Sequence, residues 1–297
     1  MAEIVVVGSL NLDTTARVGR LPAPGETVLG TGHSTDTGGK GANQAVAAAR
    51  LGRSVAMVGR TGADDAGARI AAVLGAEAIN VANVTVDDGA PTGMAFITVD
   101  AEGENMIVVS PGANTTMTVK HIERAAEVIA AARVLLLQLE VPVDVVHHAA
   151  GLCSGTVILN PAPAVDLPAG LLEMVDILVP NRTELATLTA SEPATDPEQI
   201  SRQLDLLPIP TGIVTLGAKG ALVRTAGETT AVPAPVVEAV DATAAGDAFC
   251  AGLADAVVAG ADPITAARWA ARVGAATVTR RGAHASLPTR AEVEAAG

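Results

Sequence analysis

The sequence is almost devoid of aromatic side chains: Phe96, Phe249 and Trp269 are all it has, and tyrosine is missing. Base-stacking platforms need aromatic faces, so neither a nucleic-acid groove nor a tightly stacked nucleobase pocket is supported. Cysteine is equally scarce. Cys153 and Cys250 cannot build a disulfide framework, which fits a reducing cytosol. Positive charge is short as well, with 19 Lys and Arg against 32 Asp and Glu and a net charge of −13. That balance argues against nucleic acid and anionic membranes as partners. It also leaves any polyphosphate ligand dependent on local metal ions, a lysine or helix ends. No uncharged run has the length and apolarity of a membrane span, and the start Met-Ala-Glu-Ile-Val-Val-Val-Gly lacks the basic region and apolar length of a signal peptide. A cytoplasmic location is therefore expected.

Several familiar motifs are absent too. There is no G-x-x-x-x-G-K-[ST], no G-x-G-x-x-G after the first apolar run, and no HExxH, C-x-x-C or G-x-S-x-G. His147 and His148 are neighbours, so on a helix they cannot face one metal. Zinc enzymes and serine hydrolases lose their support.

What remains is a globular α/β pattern in 297 residues, 49% of them hydrophobic. Short β-branched runs at Ile4–Val7, Val55–Val58, Val134–Leu137, Thr156–Leu159, Ile177–Val179 and Ile213–Leu216 read as buried strands. Ala-rich helical patterns alternate with them, as at Ala42–Leu51, Val143–Ala150 and the stretch from Asp262-Pro263 through Trp269. The alternation predicts a three-layer, Rossmann-like, mostly parallel sheet flanked by helices, in a single domain spanning 1–297. Two segments break the rhythm. Residues 14–38 are rich in Thr, Gly and Pro, and residues 91–110 read as a hairpin of Met94–Val99 and Met106–Val109. Together they could form a small β-sheet lid, or be ordinary surface hairpins.

The chemistry concentrates in Asp241-Ala-Thr-Ala-Ala-Gly-Asp247, which reads as a helix start. Helix N-termini present unpaired N–H groups and partial positive charge, so they bind anions. An acid among such donors can take a proton from a hydroxyl while the donors hold a phosphoryl group, which suggests a kinase. Asp247 could equally be a first-turn acid set against the helix dipole. In Gly38-Gly39-Lys40-Gly41-Ala42-Asn43-Gln44 the glycines let backbone approach a ligand, and Lys40 and Asn43 supply charge and hydrogen bonds. The same stretch could be a flexible turn opening a helix. Asn11 and Asp13 follow the first strand and read as ligand contacts or turn residues. Glu140 follows another strand and is by default a solvated loop acid. Asn181 and Glu184 have capping-box spacing, and Thr215–Gly220 is a nucleotide loop or a plain β-turn. Cys250 reads as core filler.

Taken in order, Gly8-Ser-Leu-Asn-Leu-Asp13, Gly38-Gly-Lys-Gly-Ala-Asn-Gln, Asn160-Pro-Ala-Pro, Pro180-Asn-Arg-Thr-Glu184, Thr215-Leu-Gly and Ala244-Ala-Gly-Asp247 resemble the PfkB family of carbohydrate kinases. The resemblance runs through Val278–Ser286 and so covers nearly the whole chain. It implies ATP-dependent phosphorylation of a primary sugar hydroxyl, with ribose and its O5 as the expected acceptor. By that resemblance Asn11, Asp13, Gly39, Lys40, Asn43 and Glu140 would hold the sugar hydroxyls, with Ala95, Ile97 and Val109 as apolar lid contacts. Asn181, Thr215, Gly217, Gly220 and Gly246 would border ATP, and Glu184 would act through a Mg²⁺-bound water. Asp247 would be the base, and the N–H groups of Ala245, Gly246 and Asp247 an anion hole. Asp241, Thr243, Thr277, Arg280, Gly282 and Ser286 would hold K⁺, mainly through backbone oxygens, and the lid would pair two copies into a homodimer.

The chain departs from the family pattern at Ala242, where Thr is common, and at Ala271, where Asn often stands near adenine. Fructose, deoxyribose or a nucleoside are alternative acceptors, and a silent sugar-binding protein is an alternative of another class. The lack of aromatics counts against a nucleoside, and the intact Asp247 and glycine stretch count against a silent protein.

Overall fold

The structure is a computed structural model, and it describes residues 1–296. The strands are β1 Ile4–Val7, β2 Asn11–Val18, β3 Gly30–Gly38, β4 Val55–Gly62, β5 Asn80–Asp87, β6 Gly93–Val99 and β7 Asn105–Ser110. They continue with β8 Val134–Leu137, β9 Thr156–Leu159, β10 Ile177–Leu178, β11 Thr211–Thr215, β12 Ala221–Thr225 and β13 Glu228–Val232. The helices are α1 Lys40–Arg50, α2 Asp65–Ala76, α3 Val119–Arg124, α4 Ala126–Ala130 and α5 Val143–Leu152. After these come α6 Arg182–Leu188, α7 Pro197–Leu204, α8 Ala245–Val258, α9 Pro263–Thr277 and α10 Arg290–Ala295.

Nine strands form one sheet in the order β13-β12-β11-β10-β9-β8-β1-β4-β5. Its pairs from β11 through β5 are parallel, and only the β11-β12-β13 edge is antiparallel. Alternation along β1 shows why every residue of such a strand is apolar. Ile4 and Val6 join one core with α1, α2, α8 and α9, while Val5 and Val7 join the other with α3, α4 and α5. A parallel sheet buried on both faces needs this continuous run. Large aromatic residues are not available to fill the space, so α8 and α9 close it with alanines, among them Ala248, Ala251, Ala266, Ala267 and Ala270.

The two irregular segments form a separate four-stranded sheet, ordered β3-β2-β6-β7. The hairpin expected near 94–109 is β6 and β7. Residues 14–38 supply most of β2 and β3, a strand pair that their Thr- and Gly-rich sequence did not announce. Asn11 and Asp13, read as turn candidates, instead lie in β2, which pairs with β6 on one side and β3 on the other. Smaller differences concern lengths: β4 runs on to Gly62, β10 stops at Leu178, and α9 continues to Thr277.

Strand order reverses between β1 and β8. From β1 the chain builds outward through β4 and β5, and from β8 it builds the other way through β9 and β10. Open α/β sheets bind ligands in the crevice such a switch leaves beyond the carboxyl ends of the strands.

Candidate active site

The segments that follow β1 and β8 meet at this crevice. Ser9 and Glu140 hydrogen-bond through Oγ and Oε2, and Glu140 Oε2 also accepts the Lys40 N–H at 3.0 Å. Glu140 is therefore a fixed, half-buried acceptor, not the solvated loop acid expected by default. Asn114, which the sequence did not flag, receives the Leu10 N–H at 2.9 Å and donates to Asn11 Oδ1 at 2.7 Å, orienting the Asn11 amide.

The glycine stretch is no flexible turn. Gly39 has φ 87°, a conformation that L side chains rarely adopt, and it turns β3 into α1. At Gly41 an added Cβ would sit 2.6 Å from the Ser9 N and 2.7 Å from the Gly8 carbonyl carbon, so only glycine lets α1 lie against the end of β1. That contact brings Lys40, Asn43 and Gln44 to the crevice.

α8 arrives from the opposite side. Its first helical residue is Ala245, preceded by Ala244 in left-handed conformation at φ 59°. The Ala245 N–H donates to the Ala242 carbonyl at 3.2 Å. Of the three N–H groups expected to form an anion hole, those of Gly246 and Asp247 are thus left without an acceptor among the described residues. Asp247 is 6% exposed, and both its oxygens are held: Oδ2 by Asn43 Nδ2 at 2.8 Å and Oδ1 by Gln44 Nε2 at 3.2 Å.

Two cavities meet here. One of about 650 Å³ is lined by residues that include Asn11, Lys40, Val109, Asn114, Glu140 and Glu184. Another of about 210 Å³ is lined by Asn181, Glu184, Thr215, Gly246 and Asp247 among others. Lys40 and Glu184 line both. The crevice gathers most of the sequence-derived sugar and phosphate residues. Ala95 pairs with Asp13 on one side and, on the other, with Val109, which lines the larger cavity. Asp13, Gly39, Asn43, Ala95, Ile97, Gly217, Gly220 and Ala245 line neither cavity; Gly217 and Gly220 flank the short turn after β11. Asn181 and Glu184 do form the capping box of α6, with reciprocal bonds of 2.8 Å, and so serve the fold as well as the cavity.

The electrostatics follow from crowding carboxylates out of water. Burial raises the pKa of Asp247 above the ordinary carboxylate range, opposed by the Lys40 charge and the Asn43 and Gln44 donors. Asp13 is pushed up to about 7 by burial and by the nearby charges of Glu140, Asp36 and Asp247. Its Oδ1 and the Oδ1 of Asn43 are buried without a partner among the described residues, the condition of groups awaiting a polar ligand. Burial opposes the charge on Lys40, but Asp247, Glu140 and Glu184 outweigh it and hold its pKa high. Glu184 is raised by burial against the pull of the Asn181 N–H and Lys40. Burial and the same acids raise Cys250, which keeps that thiol neutral and inert, as its core-filler reading requires.

The residues expected around a monovalent cation lie beside the start of α8. Asp241 Oδ1 accepts from Thr243 N and Oγ1, and Oδ2 accepts the Gly282 N–H at 3.0 Å, so one carboxylate ties the two loops together. Burial works against that charge, but the Gly282 and Thr243 donors outweigh it and hold the pKa low. Thr277 is buried, with Oγ1 on the Val273 carbonyl, and its own carbonyl accepts the Arg280 N–H. The Arg280 side chain pairs with Glu292, and the Ser286 hydroxyl donates to Ala283. Of the two departures, Ala242 lines the smaller cavity and Ala271 is buried in α9.

The pfkB family carbohydrate kinase model matches residues 1–290. The chain belongs to this family. It is a phosphotransferase whose acceptor is an alcohol. Over 97% of its length it is 38% identical to a ribokinase of Haemophilus influenzae, covering 96% of that protein. It is 37% identical to a deoxyribokinase of Salmonella typhi, over 97% of this chain and 96% of that one. Among solved structures it is similar to the ribokinase of Arabidopsis thaliana complexed with ribose and ATP, at TM-score 0.89 and 34% identity, covering 99% and 98% of the two chains.

Proposed function

We propose that this protein transfers the γ-phosphoryl group of ATP to O5 of D-ribose, giving D-ribose 5-phosphate and ADP. The observation that carries the reading is the meeting of the two cavities at Lys40, with Asp247 buried at the start of α8 and bonded through both oxygens. Sugar in the larger cavity would be held by Asn11, Asp13, Gly39, Lys40, Asn43 and Glu140, under Ala95, Ile97 and Val109. Nucleotide would run from the smaller cavity past Asn181 and Thr215 toward Gly217 and Gly220.

In the transfer, Asp247 accepts the O5 proton as the O5–Pγ bond forms. The bond from Pγ to the β-phosphate oxygen breaks, and ADP leaves with that electron pair. Phosphoryl transfer needs mainly alignment and neutralisation of charge. The free N–H groups of Gly246 and Asp247, with Lys40, supply it, and Ala245 joins them if its turn to Ala242 opens. Glu184, a half-buried acid lining both cavities, has the chemistry to hold a Mg²⁺-bound water. Mg²⁺ would neutralise the β- and γ-phosphates. The Asp241 loop combines one carboxylate with backbone oxygens, a hard-oxygen set suited to K⁺ rather than to a transition metal. Thr243, Thr277, Arg280, Gly282 and Ser286 would complete it.

Residues 1–297 act as one unit, with segments 14–38 and 91–110 closing as a lid that excludes water. The exposed outer residues Phe96, Met106 and Val108, which share one face of β6 and β7, would pair two such lids in a homodimer. A reducing cytoplasm suits the two free cysteines.

A second reading, phosphorylation of 2-deoxyribose, is favoured by the similarity to a deoxyribokinase. ADP release measured with ribose, deoxyribose, fructose and adenosine separates these readings, and phosphorus NMR of the product locates the phosphate. Ribose should give the highest kcat/KM. A tenfold preference for deoxyribose or adenosine would overturn the ribose assignment.

A further inference from the structure

Asp247 is held by two amides from consecutive residues of α1, and they differ in what else they can do. Asn43 keeps a buried, unpartnered Oδ1 and so remains open to a ligand. Gln44 is fully buried, and its amide nitrogen and oxygen are both engaged by other side chains, which leaves it no free polar atom for sugar or nucleotide. Its Nε2 donates to Asp247 Oδ1 at 3.2 Å and lies 3.5 Å from Asn160 Oδ1, while its Oε1 accepts from Gln138 Nε2 at 2.6 Å. Gln138, also fully buried, directly follows β8.

Building on the kinase reading above, we propose that Gln44 is a positioning residue for Asp247, and that Gln138 fixes its orientation. A flipped Gln44 amide would set its oxygen against the Asp247 oxygen and its NH₂ against the NH₂ of Gln138. Two acceptors and two donors would then face each other in a dry interior. Gln138 therefore reinforces the orientation in which the NH₂ of Gln44, not its oxygen, meets the base. The choice of an amide has a chemical reason. A lysine or arginine on Asp247 would hold the carboxylate ionised but strip its basicity, whereas a neutral donor orients it and leaves it able to take a proton. With an oxygen fixed at each side, the carboxylate plane is set, and the remaining lone pairs are the ones the sugar hydroxyl can use.

The charged groups that face Asp247 are Lys40 from α1, Asp13 from β2, Glu140 after β8 and Glu184 from α6, with the Cys250 thiol one turn along α8. Three of these are acids. Burial and the acids favour the protonated form of Asp247, and the two amides together with Lys40 oppose them.

The test is steady-state kinetics with ribose and ATP across pH 5.5–9.5 for wild type, Gln44→Met and Gln138→Met. Methionine keeps the volume of glutamine and removes the hydrogen bonds. Gln44→Met should lower kcat at pH 7 by at least about tenfold and leave the ribose KM within about threefold. The acid limb of its kcat profile should move upward by about one pH unit, so that the deficit shrinks toward pH 9. Gln138→Met should shift the limb in the same direction by less, and the double variant should be no slower than Gln44→Met alone, because both act through one chain of bonds. Unshifted acid limbs in both variants, or a loss uniform across pH, would overturn the proposal. Should Gln44→Met not fold, the Gln138→Met profile decides alone. A wild-type protein that releases no ribose-dependent ADP would instead sink the ribokinase reading, so the two failures are distinguishable.

Discussion

The two sheets of this protein are built on opposite plans. In the large sheet β1 and β8 are buried at every residue, and each strand feeds two cores at once. In the small sheet β7 has no buried residue and β3 is buried only at its Thr37-Gly38 end. The first is a floor whose position is overdetermined, and everything that must be fixed to within a fraction of an ångström hangs from its edge: Glu140, Gln138 and, through α1 and α8, Asn43 and Asp247. The second has one half-buried face over the sugar cavity and one apolar face without cover. The lid movement and partner contact proposed above belong there. Catalysis by alignment needs the first plan, and substrate entry needs the second.

The comparison can be broken most severely at the floor. Gly41→Ala drives a methyl group into the Gly8–Ser9 backbone and pushes α1 away from β1. We expect a stability loss of about 3 kcal/mol or more and nearly complete loss of activity, read by urea unfolding and ADP release. A substitution with unchanged stability would show that the floor yields more than its packing implies.

At the boundary between the plans sits Asp13, in β2 but facing the buried acids. Its folded-state pKa of about 7 lies above the ordinary 3.8, so the folded protein retains a proton that the unfolded chain releases. Stability from this residue is intact below about pH 4 and is lost as pH rises through 7. Asp13→Asn should therefore raise Tm by several degrees at pH 8 and hardly at all at pH 4, while weakening sugar binding at both. An equal Tm shift at the two pH values would contradict the buried-acid account.

The smallest effect on folding is expected on the outer face of the small sheet. Val108 is 60% exposed, and Val108→Asp should leave Tm of the separated chain within about 2 °C. Sedimentation should nevertheless shift from dimer toward monomer. A dimer that survives this change would place the interface elsewhere.

Much of the large sheet was legible because its signals are local. Four consecutive apolar β-branched or leucine residues identify β1 and β8, and Asp262-Pro263 marks the start of α9. β2 and β3 were illegible because Gly and Asp, which disfavour strands, are interspersed with the strand-favouring Thr and leave no apolar alternation, and they are ordered by pairing with β6 and with each other. The same limit applies within the site. The motif identified Asp247 and Asn43 as candidates, but the bond between them joins residues 204 apart. Gln138 carried no signal at all, since one glutamine after a strand reads as a loop residue until its burial is known. Read in isolation, Glu140 defaulted to a solvated loop acid for the same reason, and only the family resemblance assigned it to the sugar.

The central claim is that Asp247 takes the proton from the acceptor hydroxyl. It is tested most directly by comparing Asp247→Asn with wild type, measuring ribose-dependent ADP release alongside ribose binding by calorimetry. Asparagine keeps the shape and removes the basic oxygen. The account predicts turnover at least about 1000-fold lower, with ribose affinity within about threefold and the fold intact. Turnover within tenfold of wild type would contradict it.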